Sequence, residues 1–219
     1  QAQFDAPIYG LFAMPDGVGC AVHAGAKLYF RAPDGTQTEL CADMNEAFSQ
    51  SFTMKGVLYL MDGKTYRAVR KSSKNTAWEA VSVSGTAYVP TTTISAAPTG
   101  GGTSYEAVNL LTPKRINTFI GDGTATQFKV DATDLDETAV TAEVNGSAVT
   151  VSAVNRSTGL VTLTAAPANG NGLANVSIAF AKTVSGHADK INKCRFAGLY
   201  GGKNDTRVFL SGNPDEPDC

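Results

Sequence analysis

The chain has 219 residues, of which 17% are charged, and a formal net charge of −2. That length allows one large domain or two small ones with a genuine core and no need of a disulfide or metal staple. Few charges beside abundant Gly, Thr, Ala, Ser and Val favour strands and tight turns over surface helices, and the near-neutral balance argues against nucleic acid or an anionic membrane as the main ligand. The one basic run, Lys64 to Lys74 (KTYRAVRKSSK), reads as a solvated strand edge and loop.

In residues 1–90, short strand patterns alternate with turn signals. Pro15-Asp16-Gly17, Pro33-Asp34-Gly35 and the MDGK of Met61 to Lys64 each predict a tight turn, because proline presets φ and glycine tolerates its positive range. Between them, KLYFR and TYRAVR alternate polar and apolar residues with period two, the mark of half-buried strands. Short hairpins at this spacing suit propeller blades or a large sandwich. The only helix-like stretch is Asp43 to Gln50, DMNEAFSQ.

Residues 91–116 are rich in Pro, Gly and Thr, with Pro98, Pro113 and the triplet Gly100 to Gly102, and read as an extended connector laid over the surface. A second compact unit is expected over 117–182, with six short strands separated by GDG, VNGS, NRSTG and APANGNG, and Asn145-Gly146 as a hairpin signal. It suggests a small immunoglobulin-like (Ig-like) sandwich, without the Cys…Trp…Cys signature of true immunoglobulin domains. Residues 183–219 return to the style of the first segment, with RFAGLYGG and RVFLSGNP as strands joined by a Gly-Gly-Lys-Asn turn and strand structure resuming near Asp189. The economical organisation is an insertion, with 1–90 and 183–219 forming one discontinuous β-domain around the sandwich. The fold class is therefore all-β. The start at Gln1 and the finish on PDEPDC lead us to expect a piece of a longer polypeptide.

Chemistry is thinly signalled. The four cysteines, Cys20, Cys41, Cys194 and Cys219, form no C-x-x-C pair and suggest free thiols in a reducing compartment. No apolar stretch has the length of a membrane span. Nucleotide-loop, zincin, nucleophile-elbow and kinase motifs are missing. His23 reads as a structural strand histidine and His187, in SGHADK, as a solvated one. PTGGGTSYE, Pro98 to Glu106, imitates a phosphate loop but lacks the following lysine and helix. FIGDGTATQFKV, residues 119–130, likewise leads from its glycines into a strand, and we read it as the opening hairpin of the sandwich. DATDLDE, Asp131 to Glu137, gathers four carboxylates but departs from the EF-hand order, so an acidic loop is expected in preference to a calcium site. The Asn-x-Ser/Thr matches at Asn145, Asn155, Asn175 and Asn204 are frequent by chance in such a composition. Trp78, Tyr9, Tyr29, Tyr59 and Tyr66 could form a sugar-stacking platform, though single aromatics on strands more often pack. No catalytic, cofactor-binding or metal residue is assigned.

The phrases TFIGDGTATQFKVD, AVTAEVNGSAVT and STGLVTLTAAPANGNGLANVSIAFAK resemble a small β-module recurrent in structural proteins of tailed bacteriophages and prophages. In that module a GDGxxxxF hairpin opens the unit and an xGxVTFxxAPxxG hairpin closes it. The flanking stretches from Tyr88 to Phe119 and LYGGKNDTRVFLSGNP are similar to minor tail or head–tail stabilisation proteins, in which propeller-like β-repeats surround such an insertion. The resemblance implies a non-enzymatic virion component, assembled in the bacterial cytoplasm, oligomeric in the particle and partnered by other phage structural proteins. The alternative is a host-surface glycan or receptor-binding module of a phage tail.

Overall fold

In a computed structural model the chain is all-β, with strands throughout and two helices of one turn each; residues 4–74, 77–201 and 207–217 are described. It divides into two compact units. Unit 1 comprises residues 1–86 and 186–219, and unit 2 comprises residues 87–185.

Unit 1 opens with strands β1 (Ile8–Ala13), β2 (Cys20–Ala24), β3 (Lys27–Arg31) and β4 (Gln37–Cys41), which pair in sequence order as an antiparallel sheet. A second sheet of the same kind follows: β5 (Gln50–Met54), β6 (Val57–Met61), β7 (Tyr66–Lys71) and β8 (Trp78–Ser82), then the single turn α1 (Val83–Thr86). Period-two alternation gives each sheet one apolar face, and the two faces share a core of Met14, Ala21, Leu28, Met44, Leu58, Leu60 and Val69. Phe30 of β3 and Trp78 of β8, with ring centroids 6.3 Å apart, join the sheets at the margin of that core.

The aspartate-glycine turns fall between strands. Asp16 accepts the Val18 amide at 3.0 Å and Asp34 the Thr36 amide at 2.8 Å, so each side chain takes over a backbone donor that the turn leaves unpaired. Asp43 to Gln50, in contrast, is not helical. Its backbone donors bond outward: Met44 to the Ala26 carbonyl, Asn45 to Asp62 and Ser49 to the Tyr9 carbonyl. Tertiary partners have outcompeted the local i−4 bonds.

Unit 2 is a two-layer sandwich. Its strands are β9 (Thr91–Ala96), β10 (Thr103–Ser104), β11 (Lys114–Phe119), β12 (Gln127–Lys129), β13 (Thr141–Val144), β14 (Ser147–Val149), β15 (Val151–Asn155), β16 (Leu160–Leu163) and β17 (Val176–Ala181). One sheet has the order β10-β9-β11-β17-β13-β14 and the other β12-β16-β15. Val176, Ile178 and Phe180 of β17 point into a single core with Phe119, Phe128, Val161 and Leu163.

Three expectations for this region are corrected. The stretch 91–116 is no surface connector: β9 lies inside the larger sheet, antiparallel to β10 and parallel to β11. Pro90 and Pro98 flank this Thr-rich strand without interrupting it, and a turn closed by the Gly100 amide on the Ala97 carbonyl leads through Gly101 and Gly102 into β10. The GDG segment is not a hairpin, because β11 pairs with β9 and β17 whereas β12 pairs with β16; the loop crosses from one sheet to the other. AVTVSAV, expected as one strand, is split at Thr150 into β14 and β15, which belong to opposite sheets. Asn145-Gly146 does form the expected hairpin turn. Both residues have positive φ, 51° and 75°, between the paired Val144 and Ser147, as a type I′ turn requires.

The chain then returns to unit 1 through α2 (Asp189–Asn192), a helical turn where strand structure was expected to resume. The hairpin of β18 (Phe196–Tyr200) and β19 (Arg207–Ser211) follows, and β18 runs beside β5. Most of the Gly-Gly-Lys-Asn turn, together with Asn204 and Cys219, lies outside the described residues.

Candidate functional site

The closest approach of a hydroxyl to a basic ring in the described residues is made by His23 and Ser49. His23 sits on β2 in line with Ala21, so alternation turns its ring toward the space between the two sheets of unit 1. Ser49 ends the loop from β4 to β5, and its Oγ lies 2.5 Å from His23 Nδ1. Both side chains are buried, and His23 Nε2 has no hydrogen-bond partner among the described residues. Burial lowers the His23 pKa below its ordinary 6.5, against a smaller opposing pull from Asp62 and the Gly25 backbone.

Asp62, buried in the turn from β6 to β7, is the polar hub beside this pair. Its carboxylate accepts the amides of Asn45 at 2.7 Å, Lys64 at 3.0 Å and Thr65 at 2.5 Å, and the Thr65 hydroxyl at 2.7 Å. Ser, His and Asp therefore gather in one region, but the carboxylate is committed to the loop and no hydrogen bond joins it to the imidazole. With the hydroxyl and the ring sealed from solvent, a substrate carbonyl has no approach to Ser49, which general-base activation of a nucleophile would need. The cluster locks a loop in place.

No family model, curated protein or solved structure matches this chain.

The other sequence candidates resolve into local structure. Asp122 in the GDG loop accepts the amides of Ala125 at 2.7 Å and Thr124 at 2.8 Å, and these bonds hold its carboxyl below the usual carboxylate range. Asn175 stood out in the sequence only as an Asn-x-Ser match, yet its Oδ1 accepts the Gly121 amide at 2.8 Å while its Nδ2 donates to the Ala168 carbonyl at 2.8 Å. Fifty-four residues separate Asn175 from Gly121, so no local pattern marks it. Around the loop lies an open cavity of about 900 Å³ whose polar lining includes Ser95, Thr99, Asp122, Thr124, Gln127 and Asn169.

The acidic run Asp131 to Glu137 is dispersed. Asp131 accepts the Thr92 and Thr93 hydroxyls at 2.6 and 2.7 Å, Asp136 accepts the Thr183 amide and hydroxyl, and Glu137 pairs with Arg156 at 3.0 Å. Among the described residues no group of three or more His, Cys, Asp or Glu is disposed to hold a metal. His187 lies in the turn leading to α2, and its carbonyl accepts the Lys190 amide.

The aromatic residues do not share one platform. Tyr59 stacks on Phe52 at 4.9 Å and leans on Tyr66, whose hydroxyl burial pushes up to about 12. Tyr29 packs on Phe4, Tyr9 on His23, and Trp78 carries Lys71 Nζ over its ring at 4.1 Å. Large apolar side chains are instead concentrated on the last hairpin, where Phe196, Leu199, Tyr200 and Phe209 are 63%, 55%, 65% and 58% exposed.

Proposed function

We propose that this chain is a non-enzymatic structural component of a tailed-phage virion, placed in the tail or the head–tail neck and acting through contacts with other virion proteins. The observation that carries this reading is the β18–β19 hairpin. The other two sheets of unit 1 bury their apolar faces together, whereas this two-stranded sheet leaves Phe196, Tyr200 and Phe209 exposed on one face and Leu199 on the other. Exposed apolar clusters of this kind mark interaction surfaces, and an isolated hairpin needs further strands or a packed face for stability.

The remaining structure agrees with the resemblance seen in the sequence. Two four-stranded meanders on a common core have the strand arrangement of neighbouring propeller blades, with β18 beside β5 as the opening of a further one. The two layers of unit 2 around one core support the Ig-like reading of that unit. Immunogold labelling of purified particles with an antibody to this chain should decorate the tail or neck. Absence of the chain from washed particles overturns the reading. Phe196→Ser with Phe209→Ser should keep the far-ultraviolet spectrum of the folded chain and abolish its incorporation.

A receptor-binding role has one observation in its favour, the open cavity beside the GDG loop with its hydroxyl, amide and carboxylate lining, since sugars are held by several such groups acting together. A glycan array probed with the whole chain tests it, and no binding at millimolar glycan removes it.

A further inference from the structure

We propose that His23 is an acid-sensitive latch: protonation of its buried ring releases the 42–49 loop that Ser49 fastens over the end of the core between the two sheets of unit 1. This inference stands on the geometry of unit 1 and is independent of the virion reading.

Besides the ion pair of Asp43 with Arg67 and the Thr65 hydroxyl on Met44 Sδ, the loop has three fastenings to the rest of the unit. Met44 is buried and its amide bonds the Ala26 carbonyl at 3.0 Å. Asn45 bonds Asp62 through its backbone amide and its side-chain amide, at 2.7 and 2.9 Å. Ser49 donates its amide to the Tyr9 carbonyl at 3.1 Å and meets His23 Nδ1 through its hydroxyl. Only the last of these contains a group that changes charge between pH 5 and 8.

A neutral ring carries one N–H donor, and with the proton on Nδ1 the Ser49 hydroxyl oxygen accepts it. A charged ring carries two N–H donors, and Nε2 has no hydrogen-bond partner among the described residues; the Gly25 backbone favours the charged form, but less than Asp62 does. The titratable groups that reach the ring are Tyr9 of β1, with ring centroids 5.4 Å apart, and Asp62 of the β6–β7 turn, whose field favours the charged form. Leu28 of β3 packs opposite, and Ser49 faces the ring from the loop. The Asp62 carboxylate is already engaged with Asn45, Lys64 and Thr65, so it can turn to Nε2 only by letting go of the loop and turn it now holds. A shift of Asp62 toward the charged ring therefore frees Asn45 of the segment that Ser49 fastens.

The direction with pH follows from the depressed His23 value. The unfolded chain takes the proton at about its ordinary 6.5 and the folded unit only at lower pH. The contribution to stability is complete above 6.5, declines as pH falls from there to the folded value, and is constant below it.

The experiment is a ¹H–¹³C titration of the histidine ring signals in the full chain, with amide hydrogen exchange of residues 42–49 followed from pH 7.5 to 4.5 and corrected for intrinsic rates. The chain has two histidines, so His23→Gln assigns the signals. We expect the His23 ring to titrate below 6.5 and loop protection to fall at least tenfold across that titration, with no comparable fall in His23→Gln. A ring that titrates at or above 6.5, or loop protection with the same pH dependence in both proteins, overturns the proposal. Should His23→Gln fail to fold, Ser49→Ala assigns the nearby ring by its shift change, and loop protection in the native chain must still track the His23 titration or the proposal fails.

Discussion

Phe119 and Phe128 bracket the GDG loop in sequence and meet edge-on across the unit 2 core, with ring centroids 5.4 Å apart and a 68° interplanar angle. Both side chains are wholly buried. Truncating either to alanine should cost about 3–5 kcal/mol through lost burial and the cavity left behind. A domain has roughly 5–15 kcal/mol in total, so alanine variants risk unfolding the unit, and the measurement is better made with Phe119→Leu, Phe128→Leu and the double variant. Leucine keeps most of the apolar volume and removes the ring pair. The double-mutant cycle should return a coupling of about 0.5–1.5 kcal/mol, the amount an edge-to-face pair adds beyond its buried area. Trp78, the only tryptophan, belongs to unit 1, so its fluorescence does not report the change. Native-state hydrogen exchange of the β11, β16 and β17 amides does. Additivity within about 0.3 kcal/mol would refute the packing of these rings against each other, and with it the reading of the GDG loop as the crossover that brings them together.

Three further outcomes are expected. Gly159→Ala should destabilise unit 2 far more than Gly146→Ala: both glycines have positive φ, but a Cβ at Gly159 would lie 2.0 Å from the Ala132 carbonyl oxygen, whereas Gly146 faces open space. Urea unfolding should show about 1–2 kcal/mol for Gly146→Ala and a larger loss for Gly159→Ala, and equal losses would refute the close approach. Asp62→Ala should cost about 1–3 kcal/mol by stranding the Asn45, Lys64 and Thr65 donors, read as an earlier Trp78 fluorescence transition in urea; an unshifted transition would contradict the hub. Burial raises the thiol pKa of Cys41 and of Cys194, so at pH 8 iodoacetamide should modify both more slowly in the native chain than in urea, as peptide mass mapping would show.

Much of the fold is written locally. The period-two alternation of KLYFR and TYRAVR marks real strands, the Pro-Asp-Gly turns fall between β1 and β2 and between β3 and β4, and Asn145-Gly146 reverses β13 into β14. What a strand does at longer range is written less clearly. The GDG segment carries the same turn residues whether its flanking strands pair with each other or join opposite sheets, because Asp122 satisfies the Thr124 and Ala125 amides in either case. The choice is made by β17 and β16, which occupy the edges of β11 and β12. Thr91 to Ala96 was misjudged for a related reason: composition averaged over a window hid a short β-branched strand between two prolines.

The candidate sites divide along the same line. A histidine in a strand pattern has no visible partner in sequence, and Ser49, 26 residues away, becomes one only when the β4–β5 loop folds back across the core. The last hairpin presents the converse case. RFAGLY and RVFLSG place apolar residues on both faces of the hairpin, Phe196, Tyr200 and Phe209 on one and Leu199, Val208 and Leu210 on the other, so their sequence asks for cover on each. β3 and β6 obtain that cover from each other's sheets, while the outer faces of β18 and β19 keep Phe196, Tyr200 and Phe209 in water. Three aromatic side chains left more than half exposed on one face are costly to keep in solvent, and the cost is removed only when another surface closes over them. On the virion role proposed above, a neighbouring subunit would be that surface, which is why this exposed face supports the proposal better than any cleft does.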